Sequence, residues 1–338
     1  MSKTSRIVLL TDLHLRSDYI PGFLEKQVET LVRLVNKKPP DHVVILGDVF
    51  QRRNPRGEEL LAFDSILSQL KCRDIYVLRG NHDTIKKDGS TRSTLSLFSD
   101  KAKIIETSET VHIAGVDFDF IPHYEDERDI VRFLKKSKNI VFGHFGFDGC
   151  VSNGNYAYES YVKKRHFKDK LAFLGHIHKP KVYKKVYILG TQYSNTYGEA
   201  NTEKFLHELL IRNGVVEVIR KPIQFGIRHF VGTPDAIEGL NKQFGFSRYF
   251  SMLRVKLDNL DSYTENSLHE QISSKYDLAH VEVSFDDILP KYSSSYKPSN
   301  NVVSLGDDLI EKYVAGSNSV FTKEEIYEAL DDITSYEN

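Results

Sequence analysis

Short, largely apolar runs alternate with helical patterns in the first part of the chain, and this alternation limits the fold more than any other feature. Residues 6–11, 42–46 and 75–78 are such runs, whereas residues 25–37 and 58–70 space their apolar side chains as one face of a helix. A uniformly apolar strand is typical of a sheet that is covered on both faces. The pattern therefore predicts an α/β fold in this part.

Strand patterns dominate after residue 101. Asn213-Gly214 is a strong hairpin turn, and Ala114-Gly115 lies between two runs in the same way. The predicted strands are 111–113, 116–121, 140–143, 171–175, 186–189, 205–211 and 215–220, with a helix near 126–136. Two faces of β-structure with helices outside them predict a two-sheet β-sandwich core flanked by helices.

The pattern changes again near residue 225, which predicts further parts beyond a core of residues 1–225. Residues 226–290 combine an extended run, a helical stretch and an alternating strand, so they predict a small α+β capping domain. Residues 291–303 are rich in Ser, Tyr, Pro and Asn and predict a linker. Residues 304–338 predict an acidic tail with a short amphipathic helix, which begins at a capping-box pattern of Thr322 and Glu325.

The charge and the cysteine content limit the classes of protein that the chain resembles. The net charge is only −1, but residues 301–338 hold nine acidic and two basic residues. The remaining residues are therefore basic, which suits phosphate binding by the body or arises from chance unevenness. The two cysteines cannot form a disulfide framework and indicate a reducing compartment, so we expect a cytoplasmic location. No segment has the length and apolarity of a membrane helix.

Side chains that bind metals follow five of the predicted strands. These pieces are Asp12-Leu13-His14, Gly47-Asp48, Gly80-Asn81-His82-Asp83, Gly143-His144 and Gly175-His176-Ile177-His178. Open α/β sheets bind ligands outside the carboxyl ends of their strands. Any one of these pieces occurs often by chance, and a lone histidine is usually structural. All five at strand ends in one chain indicate a metal site.

The donor types and their spacing predict a binuclear centre. Residues two apart in an extended segment point to the same side, so Asp12 and His14 can share a target, as can His176 and His178. Oxygen and imidazole donors suit two divalent ions, Mn²⁺ before Mg²⁺. Two ions about 3.5–4 Å apart need a bridging ligand, for which Asp48 is the candidate. The adjacent glycines leave room for backbone to approach a phosphate.

Two further residues of the third piece have predicted catalytic roles. His82 lies next to the ligand Asn81 and is suited to give a hydrogen bond or proton to a leaving oxygen. Asp83 is positioned to orient that imidazole. The other eight histidines lack such neighbours and are interpreted as structural: His42, His112, His123, His166, His207, His229, His269 and His280.

As a set, the five pieces resemble the signature of the calcineurin-like metallophosphoesterases over residues 5–195. The resemblance implies that one ion is held by Asp12, His14, Asp48 and His178. It implies that the other is held by Asp48, Asn81, His144 and His176. It also implies that His82 is catalytic.

Within that superfamily the chain is similar to the SbcD branch, the nuclease subunit of the SbcC–SbcD complex and of related phage recombination enzymes. Residues 47–50 (GDVF) with Pro55, and residues 175–180 (GHIHKP), carry the similarity. Residues 187–191 (YILGT), followed by Glu199, extend it. Many members have a second histidine after the Phe, where this chain has Gln51, so a substrate-positioning role for that histidine does not transfer.

The resemblance implies an enzyme, a Mn²⁺-dependent DNA nuclease that acts in recombination, repair or replication. The implied activities are 3′→5′ exonuclease on duplex ends and endonuclease on single strands. It further implies a homodimer, a coiled-coil ATPase partner resembling SbcC, and a location in the cytoplasm, or in the host cytoplasm for a phage protein. The alternatives are an enzyme of the same fold that acts on a nucleotide, lipid or phosphoprotein, and a non-catalytic scaffold.

Basic residues and one apolar stripe are candidate contacts with DNA and with a partner. The DNA candidates are Arg52, Arg53, Arg56, Lys86, Lys87, Arg92 and Lys179, together with the clusters Lys163-Lys164-Arg165 and Lys181 with Lys184. A solvated charged surface explains each cluster equally well. The stripe Ile326, Tyr327, Leu330 and Ile333 on the C-terminal helix predicts docking on the ATPase, with packing on the chain's own body as the alternative.

Overall fold

The fold is seen in a computed structural model that describes residues 4–85, 92–151, 157–257 and 262–285. The strands are β1 (Ser5–Leu10), β2 (His42–Ile45), β3 (Asp74–Leu78), β4 (Lys103–Ile105), β5 (Glu109–Ile113), β6 (Val116–Ile121), β7 (Ile140–His144), β8 (Ala172–Gly175), β9 (Lys181–Tyr183), β10 (Val186–Ile188), β11 (Phe205–Arg212), β12 (Val215–Pro222), β13 (Ile227–Gly232), β14 (Phe250–Leu257) and β15 (His280–Phe285). The helices are α1 (Phe23–Asn36), α2 (Gly57–Gln69), α3 (Glu127–Lys136), α4 (Lys164–Phe167), α5 (Ile237–Phe244) and α6 (Ser262–Lys275).

Two six-stranded mixed sheets form the core. The first has the order β12-β11-β1-β2-β3-β4 and the second has the order β5-β6-β7-β8-β10-β9. In the first sheet, β1, β2, β3 and β4 run parallel, and the β11–β12 hairpin pairs antiparallel with β1. In the second sheet, β6, β7, β8 and β10 run parallel, with antiparallel strands at both edges.

Alternate residues of the central strands face two different cores. Ile7 and Leu9 of β1 pack with Phe142 and Phe173 of the other sheet, in the layer between the sheets. Val8 of the same strand faces outward and packs in a second core with α1 and α2. A third core lies between the second sheet and the helices α3 and α4. The molecule is thus a helix–sheet–sheet–helix sandwich, and both sheets are covered on both faces, as their apolar strands require.

A third sheet of three parallel strands, β13-β14-β15, follows the sandwich in sequence. Helices α5 and α6 connect its strands, and Phe230, Leu253 and Ile272 belong to its own hydrophobic core. Its first strand also reaches the sandwich, since His229 Nε2 lies 3.2 Å from the hydroxyl of Tyr19.

The predicted two-sheet sandwich with flanking helices is confirmed. The sequence patterns did not predict β4, β9, β13, α4 and α5. The linker 291–303, the tail 304–338 and its stripe Ile326, Tyr327, Leu330 and Ile333 lie outside the described residues, and the proposed domain boundaries stay predictions. Among the helices of the described segments, none combines the length and apolarity needed to cross a bilayer.

Candidate metal centre

The seven predicted ligands converge at one end of the sandwich, where the parallel strands of both sheets reach their carboxyl ends. Asp12 and His14 follow β1, Asp48 follows β2, and Asn81 follows β3. From the second sheet, His144 ends β7, and His176 and His178 follow β8. The centre therefore lies across the two sheets.

The first group of donors consists of Asp12, His14 and His178. One ligand atom from each lies within 4.8 Å of the others. The Nε2 atoms of His14 and His178 are 3.0 Å apart, and Asp12 Oδ1 lies 4.0 Å from the first and 3.8 Å from the second. Two imidazole lone pairs and a carboxylate that face one point are a donor set for a divalent cation.

The second group consists of Asp48, His144 and His176, whose ligand atoms also lie within 4.8 Å of one another. Asn81 completes it, because its Oδ1 is 3.1 Å from His144 Nε2 and 3.0 Å from His176 Nδ1. Asp48 connects the groups: its Oδ2 is 3.3 Å from His144 Nε2 and 3.8 Å from His14 Nε2. This position is the one that a bridging carboxylate requires.

Four of these ligands have backbone conformations that residues other than glycine rarely adopt. Asp12 (φ 51°), His14 (φ 44°), Asp48 (φ 50°) and His176 (φ 80°) all lie in the left-handed region. Each costs about 1–2 kcal/mol for a residue with a Cβ. Such strain is concentrated at functional sites and persists only where the surrounding structure enforces it.

The glycines beside the ligands leave room for the protein's own groups. A Cβ at Gly80 would lie 2.2 Å from Asp48 Oδ1, and one at Gly175 would lie 2.1 Å from Thr11 Oγ1. The expectation that these glycines leave room for backbone to approach a phosphate stays a prediction. Gly80 and Gly175 allow neighbouring loops to approach closely enough to place the ligands.

Hydrogen bonds behind the ligands set the direction of each donor. His144 Nδ1 lies 2.6 Å from the carbonyl oxygen of Leu46, which leaves Nε2 for the centre. His178 Nδ1 lies 2.8 Å from Glu199 Oε1, which does the same for its Nε2. The backbone N–H of His176 donates to both oxygens of Asp12, at 3.1 and 3.0 Å. Partners of this kind fix the tautomer and orientation of metal ligands.

A buried ion pair holds Glu199. Lys204 Nζ bonds to Glu199 Oε2 and lies 2.5 Å from Thr191 Oγ1, and the side chains of Glu199 and Lys204 are 1% and 0% exposed. Burial alone would raise the pKa of Glu199, but Lys204 and His178 hold it well below its usual value. Glu199 therefore stays ionised behind His178.

The electrostatics of the site favour free lone pairs on two histidines. Burial lowers the pKa of His14 and of His176 to about 3, so both are neutral near pH 7. Burial opposes the charge on His144 too, but the carboxylate of Asp48 raises its pKa to about 9. In the metal-free protein, His144 therefore carries a proton between its Nε2 and Asp48, where a metal cation can replace it.

His82 lies beside the centre, and a backbone carbonyl holds its ring in place. The ring atom Nδ1 of His82 is 2.7 Å from the backbone oxygen of Gln51, and the backbone N–H of His82 donates to Asp48 Oδ1 at 2.8 Å. The ring edge packs against His14 with centroids 5.0 Å apart. His14, Asp48 and His82 also form a metal-capable group, so the geometry brings His82 within reach of the ligands.

The predicted role of Asp83, to orient His82, is corrected by the structure. The Asp83 carboxylate is fully buried and accepts backbone N–H groups from Gly80 at 2.8 Å and from Asp48 and Val49 at 2.9 Å. The carbonyl of Gln51 is the partner of the His82 ring instead. Asp83 fastens the loop of Asp48 to the loop of Gly80.

Two aromatic residues near the site were not predicted. The ring of His123, interpreted as structural, stacks on His176 with centroids 6.0 Å apart, and its buried Nδ1 has no partner among the described residues. Tyr158 places its hydroxyl 3.3 Å from His176 Nε2. His123 follows β6, which is parallel to β7, so its position after a strand was the only available signal. Tyr158 lies in a loop and has no sequence signal.

The predicted DNA contacts have varied surroundings. Arg52 pairs with Asp18, and Arg53 donates to the carbonyl oxygen of Thr84 at 3.2 Å. Arg56 precedes α2 and is exposed, and Arg92 and Lys179 also have partners within the protein. Lys86 and Lys87 lie outside the described residues.

The chain is similar to one protein family and to several solved structures. A family model described as calcineurin-like phosphoesterase matches residues 5–180. A purple acid phosphatase from yellow lupin (Lupinus luteus) is similar to the chain with 11% identity and a TM-score of 0.41, over 66% of this chain and 52% of the lupin chain. A protein of unknown function from Aquifex aeolicus is similar with 16% identity and a TM-score of 0.30, over 49% of this chain and 87% of its own. No curated protein sequence matches the chain.

Proposed function

Because the chain belongs to the calcineurin-like phosphoesterase family, whose members are metal-dependent hydrolases, we propose that it is a nuclease subunit of the SbcD type that hydrolyses DNA phosphodiesters. The convergence of the seven ligands across both sheets carries the phosphoesterase part of this proposal. The sequence similarity of residues 47–50, 175–180 and 187–191 to the SbcD branch supports the DNA part. The chain spans about half the length of the lupin phosphatase, at 52%.

The donor set fits two divalent ions, with Mn²⁺ proposed before Mg²⁺. Asp12, His14 and His178 would hold one ion, Asn81, His144 and His176 the other, and Asp48 both. Such ions, when bound, neutralise phosphate charge and lower the pKa of water.

His82 supplies the proton chemistry that the chain itself contributes. Its Nδ1–H is engaged by the Gln51 carbonyl, which leaves Nε2 to donate a hydrogen bond or proton to the leaving oxygen. The carbonyl acceptor fixes the tautomer and the orientation of the His82 ring. Asp83 acts indirectly, because it holds the loop from which Asp48 and His82 are presented.

The experiment is cleavage of labelled linear and single-stranded DNA by the purified protein with Mn²⁺ or Mg²⁺, with cyclic nucleotides as competing substrates. We expect DNA to be cut with Mn²⁺, and Asp48→Asn to abolish cutting. Hydrolysis of the cyclic nucleotides with intact DNA would replace the nuclease by another phosphodiesterase. Absence of both activities in a Mn²⁺-loaded protein would favour the non-catalytic scaffold.

We also propose that the enzyme is cytoplasmic and acts as a homodimer with a coiled-coil ATPase resembling SbcC. The apolar stripe at Ile326, Leu330 and Ile333 is the proposed ATPase contact. Deletion of residues 304–338 should leave Mn²⁺-dependent cleavage intact and abolish co-purification with such an ATPase. Retained co-purification would place the contact elsewhere.

A further inference from the structure

A basic pocket opens on the second sheet beside α4. Its volume is about 470 Å³, and the residues that line it come from α4, β9 and the segments that enter β8 and β10. The lining is formed by the aromatic and apolar residues Phe147, Phe167, Tyr183 and Val186 and by the charged residues Lys164, Arg165, Lys168, Asp169, Lys170, Lys184 and Lys185. We call this site the α4 pocket.

The charge of the α4 pocket is far from balanced. Residues 163–185 hold nine lysines and arginines and a single acid, Asp169, in a chain whose net charge is −1. None of the ion pairs within 4.0 Å in the described segments uses any of the six basic residues that line the pocket. Burial, and then the neighbouring positive charge of Lys168, lower the pKa of Lys170. The pocket therefore concentrates positive charge that the protein does not neutralise.

Two of these lysines occupy backbone positions that favour glycine. Lys168 has φ 49° and Lys184 has φ 58°. Two other hairpins of the chain place glycine in their turns, with Gly115 at φ 84° and Gly214 at φ 76°. The β9–β10 turn uses Lys184 and Lys185 instead. Ala114 and Asn213, both at φ 51°, hold the position of Lys184 in those two turns, so the positive φ of Lys184 belongs to the turn and an asparagine can replace this lysine.

The α4 pocket lies at the amino-terminal ends of strands β8 and β10, whereas the metal centre lies at the carboxyl ends of the parallel strands. Lys170 precedes β8 and Lys185 precedes β10, whereas the ligand His176 follows β8. Strand β8 separates them by four residues, or about 13 Å at the rise of a strand. A phosphate in the pocket is thus not the phosphate at the metals.

We propose that the α4 pocket binds the phosphate backbone of a nucleic-acid strand, as a second site apart from the metal centre. The lysines, which make no ion pair, and Arg165 supply the charge. The half-buried ring of Tyr183, over which Lys164 Nζ lies 5.2 Å from the centroid, supplies an aromatic face on which a base stacks when Lys164 turns to a phosphate. An acidic peptide would use the charges but not this face. The identity of the ligand as nucleic acid rests on the proposed function.

Turn-optimised variants test the site without weakening the fold. Lys184→Asn with Lys185→Gly copies the Asn213-Gly214 turn of the same chain, and Lys168→Gly removes the Cβ from the other lysine at positive φ. Affinity for a fluorescein-labelled duplex with a single-stranded tail is measured by anisotropy in EDTA, over a series of salt concentrations. We expect the triple variant to bind at least about tenfold more weakly, with a salt slope reduced by about one for each lost phosphate contact. Its thermal midpoint should be equal to or above that of the parent.

The control removes the same charge from the opposite outer layer. Lys37→Gln/Lys38→Gln/Lys71→Gln changes three exposed lysines that follow α1 and α2 and should leave the affinity and the slope unchanged. Hydrolysis of bis-(p-nitrophenyl) phosphate, a substrate too small to span both sites, should be the same in all proteins. Unchanged DNA affinity in the triple variant, or an equal loss in the control, would overturn the proposal.

The same measurements separate this inference from the proposed function. DNA that is bound through the α4 pocket but never cut would remove the nuclease and leave the second site. If DNA is cut and the triple variant binds it normally, the nuclease function stands and the second site is ruled out. Polyglutamate that binds the parent and not the triple variant, with DNA binding unaffected, would assign the pocket to an acidic protein.

Discussion

At the scale of single residues, the position of each ligand after a strand made the centre predictable. Asp12, Asp48 and His176 are all in that position, and the parallel direction of the strands brings their ends together. The supporting groups were harder to predict. Asp83 accepts hydrogen bonds from backbone N–H groups, and the hydroxyl of Tyr158 contacts a ring nitrogen of His176. Both contacts join residues that are distant in the sequence, so no sequence pattern indicates them. Only the resemblance pointed to Glu199, and nothing in the sequence pointed to its partner Lys204.

Glu199→Gln should separate the support of His178 from the stability of the fold. The variant loses the carboxylate that holds His178, so we expect Mn²⁺ affinity to fall by about 10–100-fold in calorimetric titrations. It also leaves Lys204 buried without its charge partner, which should lower the free energy of unfolding by about 3 kcal/mol. Glu199→Gln/Lys204→Met should recover stability and not metal affinity. Full recovery of both would mean that Glu199 does not act on the metal site.

His82→Ala should strongly slow phosphodiester cleavage and leave the binding of Mn²⁺ nearly intact, because the His82 ring bonds to the carbonyl of Gln51 and not to a metal ligand. The loss expected from a missing proton donor is about 10²–10⁴-fold in kcat. The checks are a rate measurement under saturating substrate and a Mn²⁺ titration of the same preparation. A parallel collapse of metal affinity would instead assign His82 to the metals, as its proximity to His14 and Asp48 allows.

At the scale of secondary-structure elements, the long and apolar strands were predictable and the short or polar ones were not. β9 has only three residues, and two of them are exposed, so it lacks an apolar run. β13 buries Arg228 and His229 next to apolar residues, so its sequence lacks the apolar run that predicts a buried strand. These side chains are buried because tertiary contacts satisfy them, as when Arg228 donates to the carbonyls of Thr202 and Ile223.

Gly175→Ala should damage the junction between β8 and the centre. The added Cβ would lie 2.1 Å from Thr11 Oγ1 and 2.7 Å from the carbonyl oxygen of Leu46, and neither belongs to a long flexible side chain. We expect a loss of about 1–3 kcal/mol in unfolding free energy and a still larger loss of activity, because His176 moves with the strand. Gly57→Ala is the control, since its Cβ would meet nothing within 4 Å. Equal behaviour of the two variants in urea denaturation would contradict the argument.

His207 of β11 should make the stability of the metal-free protein sensitive to acid. Burial, and then Arg220, lower its pKa from 6.5 to about 4. The unfolded chain therefore takes up the proton first as the pH falls. The stability gained from a neutral His207 is complete above pH 6.5 and is lost between that pH and about 4, to a limit of about 3 kcal/mol.

The measurement is urea denaturation in EDTA at several pH values for the parent and for His207→Leu. The two proteins share the titration of the histidines at the centre, so the difference between them isolates His207. We expect the slope of stability against pH in this range to be lower in the variant by about one proton. Superimposable profiles would show that His207 is charged in the fold.

At the scale of the whole molecule, bound metal should act as a stabilising ligand of the entire sandwich. Mn²⁺ at about a hundred times its dissociation constant should raise the free energy of unfolding by about 2.7 kcal/mol. Thermal unfolding with and without the ion measures this, and Asp48→Asn should lose the shift because it removes the shared ligand. A shift that survives in Asp48→Asn would mean that the ion binds elsewhere.

The layer of side chains between the two sheets sets how far apart the two halves of the centre stand. Phe118 and Phe142 stack there with ring planes 2° from parallel and centroids 4.8 Å apart, and Phe142 lies on β7, the strand that ends in His144. Since one half of the ligands belongs to each sheet, the aromatic filling works as a spacer for the coordination geometry. Residues that never touch a cation thus contribute to the distance between the two groups of ligands.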